Sequence, residues 1–141
     1  MRVVVFIYIL LIVYPVSAQN ASVGPLSVPA DVVRVYDGDT ITVDAHPWPG
    51  MTIRTGVRLR GIDTPEIKGK CASEKAAAIV ARDRMAVLVG EKVLLENVTP
   101  DKYGGRVDAT VMTSSGDAGA ILISENLARP YAGGKRQGWC D

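Results

Sequence analysis

The sequence has few residues that bind transition metals and almost no net charge. Its one histidine, His46, has no second histidine or nearby cysteine beside it, which argues against a zinc site and makes it an ordinary loop residue. The chain carries 16 lysines and arginines against 15 aspartates and glutamates. A chain this close to neutral lacks the broad electrostatic footprint of a protein that binds duplex nucleic acid. An anionic substrate would need a local cluster of cations, and the first candidates are Arg54, Arg58, Arg60, Lys68 and Lys70.

Long apolar runs are also missing, apart from one at the N-terminus over residues 3–13. This run follows Arg2 and precedes a small-residue cleavage site at residues 16–18, as in a secretory signal. A transmembrane anchor is the alternative, but the run is shorter than the roughly 20 residues that a span needs. We therefore predict a removed signal peptide over residues 1–18, a flexible leader over 19–30 and one domain over 31–141. The protein is expected to be secreted or periplasmic, without stable membrane association after cleavage.

Cysteine is nearly absent, with Cys71 and Cys140 as the two examples. An exported protein matures where disulfides persist, so we predict a bridge between them rather than two free buried thiols. That bridge would tether the C-terminal tail beside the loop that follows Glu66.

The pattern of apolar residues and turn signals predicts five strands and two helices. The strands are expected over residues 32–36, 40–43, 51–62, 92–98 and 106–113, and the helices over 76–89 and 118–125. Residues 44–50 are expected to form a loop, and Ser73 to cap the first helix. The predicted order is that of an OB-type fold, with three hairpin-linked strands, a helix, two strands and a helix. The predicted class is mainly β with helices (α+β), a five-stranded Greek-key barrel, and an open α+β sheet is the alternative.

The stretch 57–66 carries an unusual concentration of charge. It alternates apolar residues with Arg58 and Arg60, as a strand with one buried face does, and then turns through Asp63 and Glu66. A solvated strand edge running into a polar loop is the simpler interpretation. A strand end has no structural need, however, for two cations and two carboxylates within nine residues.

Five charged groups remain that local structure does not explain: Asp39, Arg58, Asp63, Glu66 and Arg106. Three carboxylates brought together repel, so a cation is expected among them, and all-oxygen ligands suit Ca²⁺ or Mg²⁺. Arginines near a metal suit a phosphate, because a guanidinium pairs with phosphate oxygens in a fork. This set of groups indicates phosphodiester hydrolysis, because it combines a metal, an acid that activates water and arginines that hold a phosphate.

Three motifs resemble those of the thermonuclease (staphylococcal-nuclease-like) family: residues 37–40, 58–66 and 101–106. They come in the family's order around a helix in the family's place, and the resemblance runs from about residue 32 to 131. It implies that Asp39 and Asp63 bind Ca²⁺, with a backbone carbonyl from Thr64. It implies further that Glu66 activates or positions water and that Arg58 and Arg106 bind the phosphate and stabilise the transition state. Lys102 and Tyr103 match residues that flank the terminal phosphate.

The resemblance also implies an OB barrel and a monomer that cleaves single-stranded or denatured DNA and RNA with Ca²⁺. A non-catalytic OB-fold nucleic-acid-binding module is the alternative. The sequence departs from the family in four places: Gly105 is inserted before Arg106, the loop after Glu66 is short, the final helix is missing, and Tyr131 is the one counterpart of the base-stacking tyrosines.

Overall fold

The computed structural model describes residues 26–140. The predicted signal peptide, residues 1–18, and most of the predicted leader lie outside the described residues. Across residues 26–140, no helix combines the length and the apolar character that a membrane crossing requires.

Eight strands and two helices make up this range. In chain order they are β1 (Val28–Asp37), β2 (Thr40–Trp48), β3 (Met51–Leu59), β4 (Ile62–Asp63), α1 (Ala72–Val89), β5 (Lys92–Pro100), β6 (Arg106–Thr113), β7 (Gly116–Asp117), α2 (Ala118–Ser124) and β8 (Arg129–Pro130).

Five of the strands close into a barrel, which confirms the predicted OB-type fold over the open sheet. Strands β3, β2, β1, β5 and β6 are neighbours in that order and pair antiparallel. The barrel closes where β6 pairs with β3 in parallel, with Val57 opposite Val107 and Arg58 opposite Asp108. The parallel pairing brings Arg106, at the start of β6, to the strand that carries Arg58.

Alternate residues of the strands fill the barrel. Ile41, Val43 and Val57 are fully buried, and the sequence alternation that predicted these strands is the alternation of their inward and outward faces. Helix α1 contributes Met85 and α2 contributes Leu122 to the same core.

Several elements begin or end elsewhere than the sequence predicts. Strand β1 starts at Val28 rather than residue 32, because Ala30 is buried between Ala45 and Val93, so residues 28–30 pair in the barrel instead of forming a leader. The expected loop over 44–50 is the end of a hairpin, and β2 continues to Trp48.

Helix boundaries are partly as predicted. Helix α1 begins at Ala72, after an N-cap residue, Cys71, whose side chain makes no capping hydrogen bond, so Ser73 is not the cap. Helix α1 ends before Gly90, which has a positive φ of 54°, and Asp117 caps α2 by accepting from two backbone N–H groups. The expected strand 51–62 is interrupted at Gly61, which separates β3 from β4.

One glycine allows the elements near the first turn to approach closely. A Cβ atom at Gly38, between β1 and β2, would lie 2.9 Å from the Cβ of Ala81 in α1 and 2.9 Å from Cγ2 of Thr64. The β1–β2 turn therefore packs directly on the helix and on the segment that follows β4.

Candidate functional site

Two carboxylates from different turns lie side by side in the structure. Asp39 follows the β1–β2 turn and Asp63 ends β4, and they are 2% and 4% exposed. The backbone N–H of Thr64 donates to Oδ2 of Asp39 over 3.2 Å, which holds the second turn against the first. The two predicted metal-binding carboxylates are thus brought together and buried.

Arg58, on β3, lies between these carboxylates. One terminal nitrogen is 3.0 Å from Oδ1 of Asp39, and the other is 4.0 Å from Oδ1 of Asp63 and donates to the carbonyl of Ile62 over 3.3 Å. The side chain remains 20% exposed, so the guanidinium also reaches the surface. It compensates buried negative charge and still has an open side for an anion.

Glu66 is placed by a second glutamate that the sequence did not indicate as a site residue. Buried Glu74, in the first turn of α1, accepts from the backbone N–H of Glu66 over 3.3 Å and from that of Lys70 over 3.0 Å. These bonds fix the loop between β4 and α1. The side chain of Glu66 remains 47% exposed.

A further buried carboxylate, Asp37, lies two residues before Asp39. Burial, followed by the charge of Asp39, raises the pKa of Asp37 to about 7. Asp37 accepts a hydrogen bond from the backbone N–H of Asp39 over 3.3 Å. The turn thus carries one carboxylate paired with Arg58 and one that titrates near neutral pH.

Arg106 faces the site but is held by its own partner. It pairs with Asp101, and against the effect of burial its guanidinium holds the pKa of Asp101 below the usual range. Gly104 and Gly105, which precede Arg106, both have a φ of 67°, so the turn before β6 uses two left-handed glycines. The side chain of Arg106 is 30% exposed.

The loop before β6 also carries Lys102 and Tyr103. The ammonium group of Lys102 lies 4.9 Å from the centre of the Tyr103 ring, and the Arg106 guanidinium lies 5.2 Å from the same centre. Tyr103 is 71% exposed, so most of its side chain is accessible from solvent.

A cleft of about 870 Å³ joins most of these groups. Its walls include Asp37, Asp39, Arg58, Glu66, Lys68, Lys102, Tyr103, Arg106, Tyr131 and Arg136. Carboxylates and cations thus share one opening on the side of the barrel where β3 and β6 meet.

Three other basic residues make contacts between strands, and one of them, Arg60, also lines the cleft. Arg54 forms a two-bond pair with Asp44, and Arg60 donates to the Asn97 and Asp108 carbonyls and the Thr99 hydroxyl. His46 bonds Asp31 over 2.9 Å from strand β2 rather than from a loop. The guanidinium groups of Arg54 and Arg60 thus serve strand-to-strand contacts, which leaves fewer cations free to bind an anion.

Sequence reasoning missed Arg136, which meets three of the predicted site residues. Its Nε donates to Oδ1 of Asp63 over 2.6 Å, one terminal nitrogen donates to the carbonyl of Thr64 over 3.2 Å, and the other pairs with Glu66. Although burial opposes its charge, the hydrogen bonds and charges of Glu66 and Asp63 hold the pKa of Arg136 above its ordinary value.

The predicted disulfide between Cys71 and Cys140 is present and explains how Arg136 reaches the site. It fixes the end of the chain next to the start of α1, four residues after Arg136. The sequence signal for Arg136 was therefore its position just before a cysteine expected to bridge to the loop after Glu66.

The residues present fit a divalent cation. Oxygens of Asp63, Thr64 and Glu66 converge on one guanidinium, so their arrangement already accommodates a positive charge. All are hard oxygen ligands of the kind that Ca²⁺ and Mg²⁺ prefer, and Asp39 supplies another beside them.

A family model described as staphylococcal nuclease homologue matches residues 56–138, more than half of the chain. The chain belongs to this family. Among curated proteins, none matches it. As a staphylococcal nuclease homologue, the chain is a nuclease-family, nucleic-acid-binding module, and the family is metal-dependent. The matched range contains Arg58, Asp63, Glu66, Arg106 and Arg136.

Proposed function

We propose that the protein is an exported, Ca²⁺-dependent nuclease that hydrolyses phosphodiester bonds of DNA and RNA. The observation that carries this proposal is the cleft in which acidic groups of Asp39 and Glu66 face the guanidinium groups of Arg58 and Arg106. A metal-dependent nuclease site combines carboxylates that bind the metal with guanidinium groups that bind the phosphate. The disulfide supports export, since such bridges persist outside reducing compartments.

Asp39, Asp63 and the Thr64 carbonyl would hold the cation. Ca²⁺ bound there would polarise a phosphoryl oxygen and compensate the charge that develops on it. Arg58 and Arg106 would bind the remaining phosphate oxygens and stabilise the same charge from two strands of the barrel. The exposed carboxylate of Glu66 would orient the attacking water or accept its proton.

The substrate is proposed to be single-stranded or denatured nucleic acid bound by one monomer. Lys102 and Tyr103 extend the cleft beside Arg106, with an ammonium group for a phosphate and an exposed ring for a base. Stacking on an aromatic ring is available to unpaired bases and tolerates any sequence.

The substitution Glu66→Gln tests the mechanism. An amide of nearly the same shape cannot act as a base, so the variant should lose on the order of 10²–10⁴-fold in cleavage rate. Binding of a non-cleavable nucleotide with Ca²⁺ should persist, because Asp39, Asp63 and the arginines remain. Single-turnover cleavage of denatured DNA, with Ca²⁺ or with chelator, measures the rate, and calorimetry measures Ca²⁺ and nucleotide binding.

Glu91→Gln is the matched control, because Glu91 is an exposed glutamate outside the cleft. It should cleave like the wild type. Unchanged cleavage in Glu66→Gln would contradict the mechanism, and a parallel fall in Ca²⁺ affinity would make Glu66 a metal ligand instead.

A non-catalytic binding module is the second candidate, and the contacts of Arg136 favour it. Arg136 compensates Asp63 and Glu66, and the other cations that line the cleft are Arg58, Arg60, Lys68, Lys102 and Arg106. A wild-type protein that binds denatured DNA but yields no fragments with Ca²⁺ would support this function over the nuclease.

A further inference from the structure

The C-terminal tail, residues 132–140, is anchored on both sides of Arg136 by contacts that do not involve carboxylates. Before it, the Tyr131 hydroxyl donates to the Gly134 carbonyl over 2.7 Å. After it, Arg129 donates to the Gly138 carbonyl over 2.8 Å, and the disulfide holds Cys140. The tail therefore has a defined path over the site.

Trp139 adds a second contact from the tail to the carboxylates. Its indole Nε1 donates to Oδ2 of Asp63 over 2.9 Å, and its ring lies 3.6 Å from the Arg129 guanidinium. Both oxygens of Asp63 are thus used by the tail, Oδ1 by Arg136 and Oδ2 by Trp139.

The oxygens that Arg136 contacts are those proposed to hold or neighbour the divalent cation. The guanidinium contacts Oδ1 of Asp63, the carbonyl of Thr64 and Oε1 of Glu66. Charge-assisted bonds of this kind are about twice as strong as neutral ones. The guanidinium also occupies the space between these oxygens and supplies the positive charge there, so a divalent cation cannot enter while it stays in place. Two cations, one tethered and one from solution, therefore compete for one set of ligands.

We infer that Arg136 is the site's own cation, and that a divalent cation binds Asp63 and Thr64 only by displacing the tail. This inference rests on the metal site of the proposed function. The disulfide strengthens the competition, because it keeps Arg136 at a high local concentration beside its partners. Arg136 thereby lowers the apparent affinity for the divalent cation without contacting it.

Calorimetric Ca²⁺ titration of Arg136→Gln tests the inference without relying on activity. The variant should bind Ca²⁺ more tightly than the wild type, within the range of about 5- to 150-fold found for coupled sites. Lys135→Gln is the matched control, because it removes the same charge from the adjacent tail position, which is exposed. It should bind Ca²⁺ like the wild type.

Reduction of the disulfide should act on the same competition. Dithiothreitol should tighten Ca²⁺ binding by the wild type and have little further effect on Arg136→Gln, since the competing cation is already gone. Such non-additivity is the signature of two changes that act through one interaction.

Tryptophan fluorescence reports the tail itself. The chain has two tryptophans, and Trp48 is 71% exposed on the β2–β3 hairpin, so Trp48→Phe leaves Trp139 as the one indole. Adding Ca²⁺ should shift the emission of Trp139 to that of a solvent-exposed indole. This titration keeps the inference testable if Arg136→Gln does not fold.

The outcomes separate this inference from the proposed function. Equal Ca²⁺ affinity in Arg136→Gln and wild type overturns the inference alone, as does Ca²⁺ binding with unchanged Trp139 emission. Equal tightening by Lys135→Gln also overturns it, because general charge would then explain the effect. Failure of all variants to bind Ca²⁺ overturns the inference together with the metal site.

Discussion

Each buried aspartate that lines the cleft pairs with one arginine, with one exception. Asp39 pairs with Arg58 and Asp101 with Arg106, whereas no cation within residues 26–140 pairs with Asp37. A buried carboxylate without a cation stays protonated to higher pH, which is why the pKa of Asp37 rises to about 7. Its charge is therefore the least favourable one in the turn.

The pH dependence of stability should reveal Asp37. Its folded-state pKa of about 7 lies above the ordinary value of 3.8, so between these values the folded chain holds a proton that the unfolded chain has lost. Stability from this group is then present below about pH 4 and falls as the pH rises toward 7. Asp37→Asn mimics the neutral form and should remove that fall, with a gain on the order of 1–2 kcal/mol at pH 8, since solvent reaches part of the carboxyl.

Urea unfolding at pH 5 and pH 8 in the presence of chelator measures this gain. Asp83→Asn, at an exposed position on α1 paired with Arg82, is the control and should show no such pH-dependent gain. A variant at position 37 that is less stable than wild type at pH 8 would mean that the charged form is the favoured one.

At the scale of elements, the β1–β2 turn packs closely on α1 because Gly38 has no side chain. Gly38 has backbone angles open to any residue, so its role is space rather than conformation. Gly38→Ala would force a Cβ into contact with Ala81 and Thr64 and should destabilise the fold by about 1–3 kcal/mol, as overpacking does. The turn carrying Asp39 would shift with it.

Thermal unfolding and Ca²⁺ titration check this expectation together. Gly138→Ala is the matched control, because a Cβ there meets no atom within 4 Å and its φ is not positive. It should leave the melting temperature nearly unchanged. Equal melting temperatures for Gly38→Ala and wild type would show that the helix yields to the added carbon.

The strands also show which parts of the fold could be predicted from the sequence. Residues such as Ile41, Val43 and Val57 alternate with outward-facing residues along the barrel wall, so the existence and order of the five barrel strands were predicted correctly. The short strands β4, β7 and β8 were not predicted. Strand ends were not predicted correctly, since Ala30 is a poor strand signal and is paired because β2 and β5 lie on either side of it. Pairing of that kind depends on distant residues, which local patterns do not contain.

The same limit applies to the site. Asp39, Arg58 and Asp63 were predicted from turns and strands that they occupy directly. Arg136 was not, because its contact with Glu66 spans 70 residues and depends on the path of a tail without regular structure. Only the expected disulfide linked that tail to the site in advance.

At the scale of the whole molecule, the disulfide restrains the C-terminal tail against the start of α1. It joins cysteines 69 positions apart, and loop-closure entropy for that length gives about 4 kcal/mol. The double variant Cys71→Ser/Cys140→Ser should be less stable than wild type by up to that amount, which is a large part of the stability of a small domain.

Chemical denaturation of the oxidised wild type, the reduced wild type and the double variant measures the difference. The last two should agree, because both lack only the bridge. Equal stability of all three would show that the tail adds nothing to the fold beyond its contacts at the site.

The disulfide also changes how the segments of the chain are covalently connected. Residues between Cys71 and Cys140 form a closed ring that contains α1, β5, β6 and α2, while β1 to β4 precede it. Residues 102–105 form an exposed turn of that ring, and such turns are preferred sites of proteolytic cutting. A single cut there opens the ring but releases no fragment, so Arg58 and Arg106 stay on one molecule even after the backbone between them is broken.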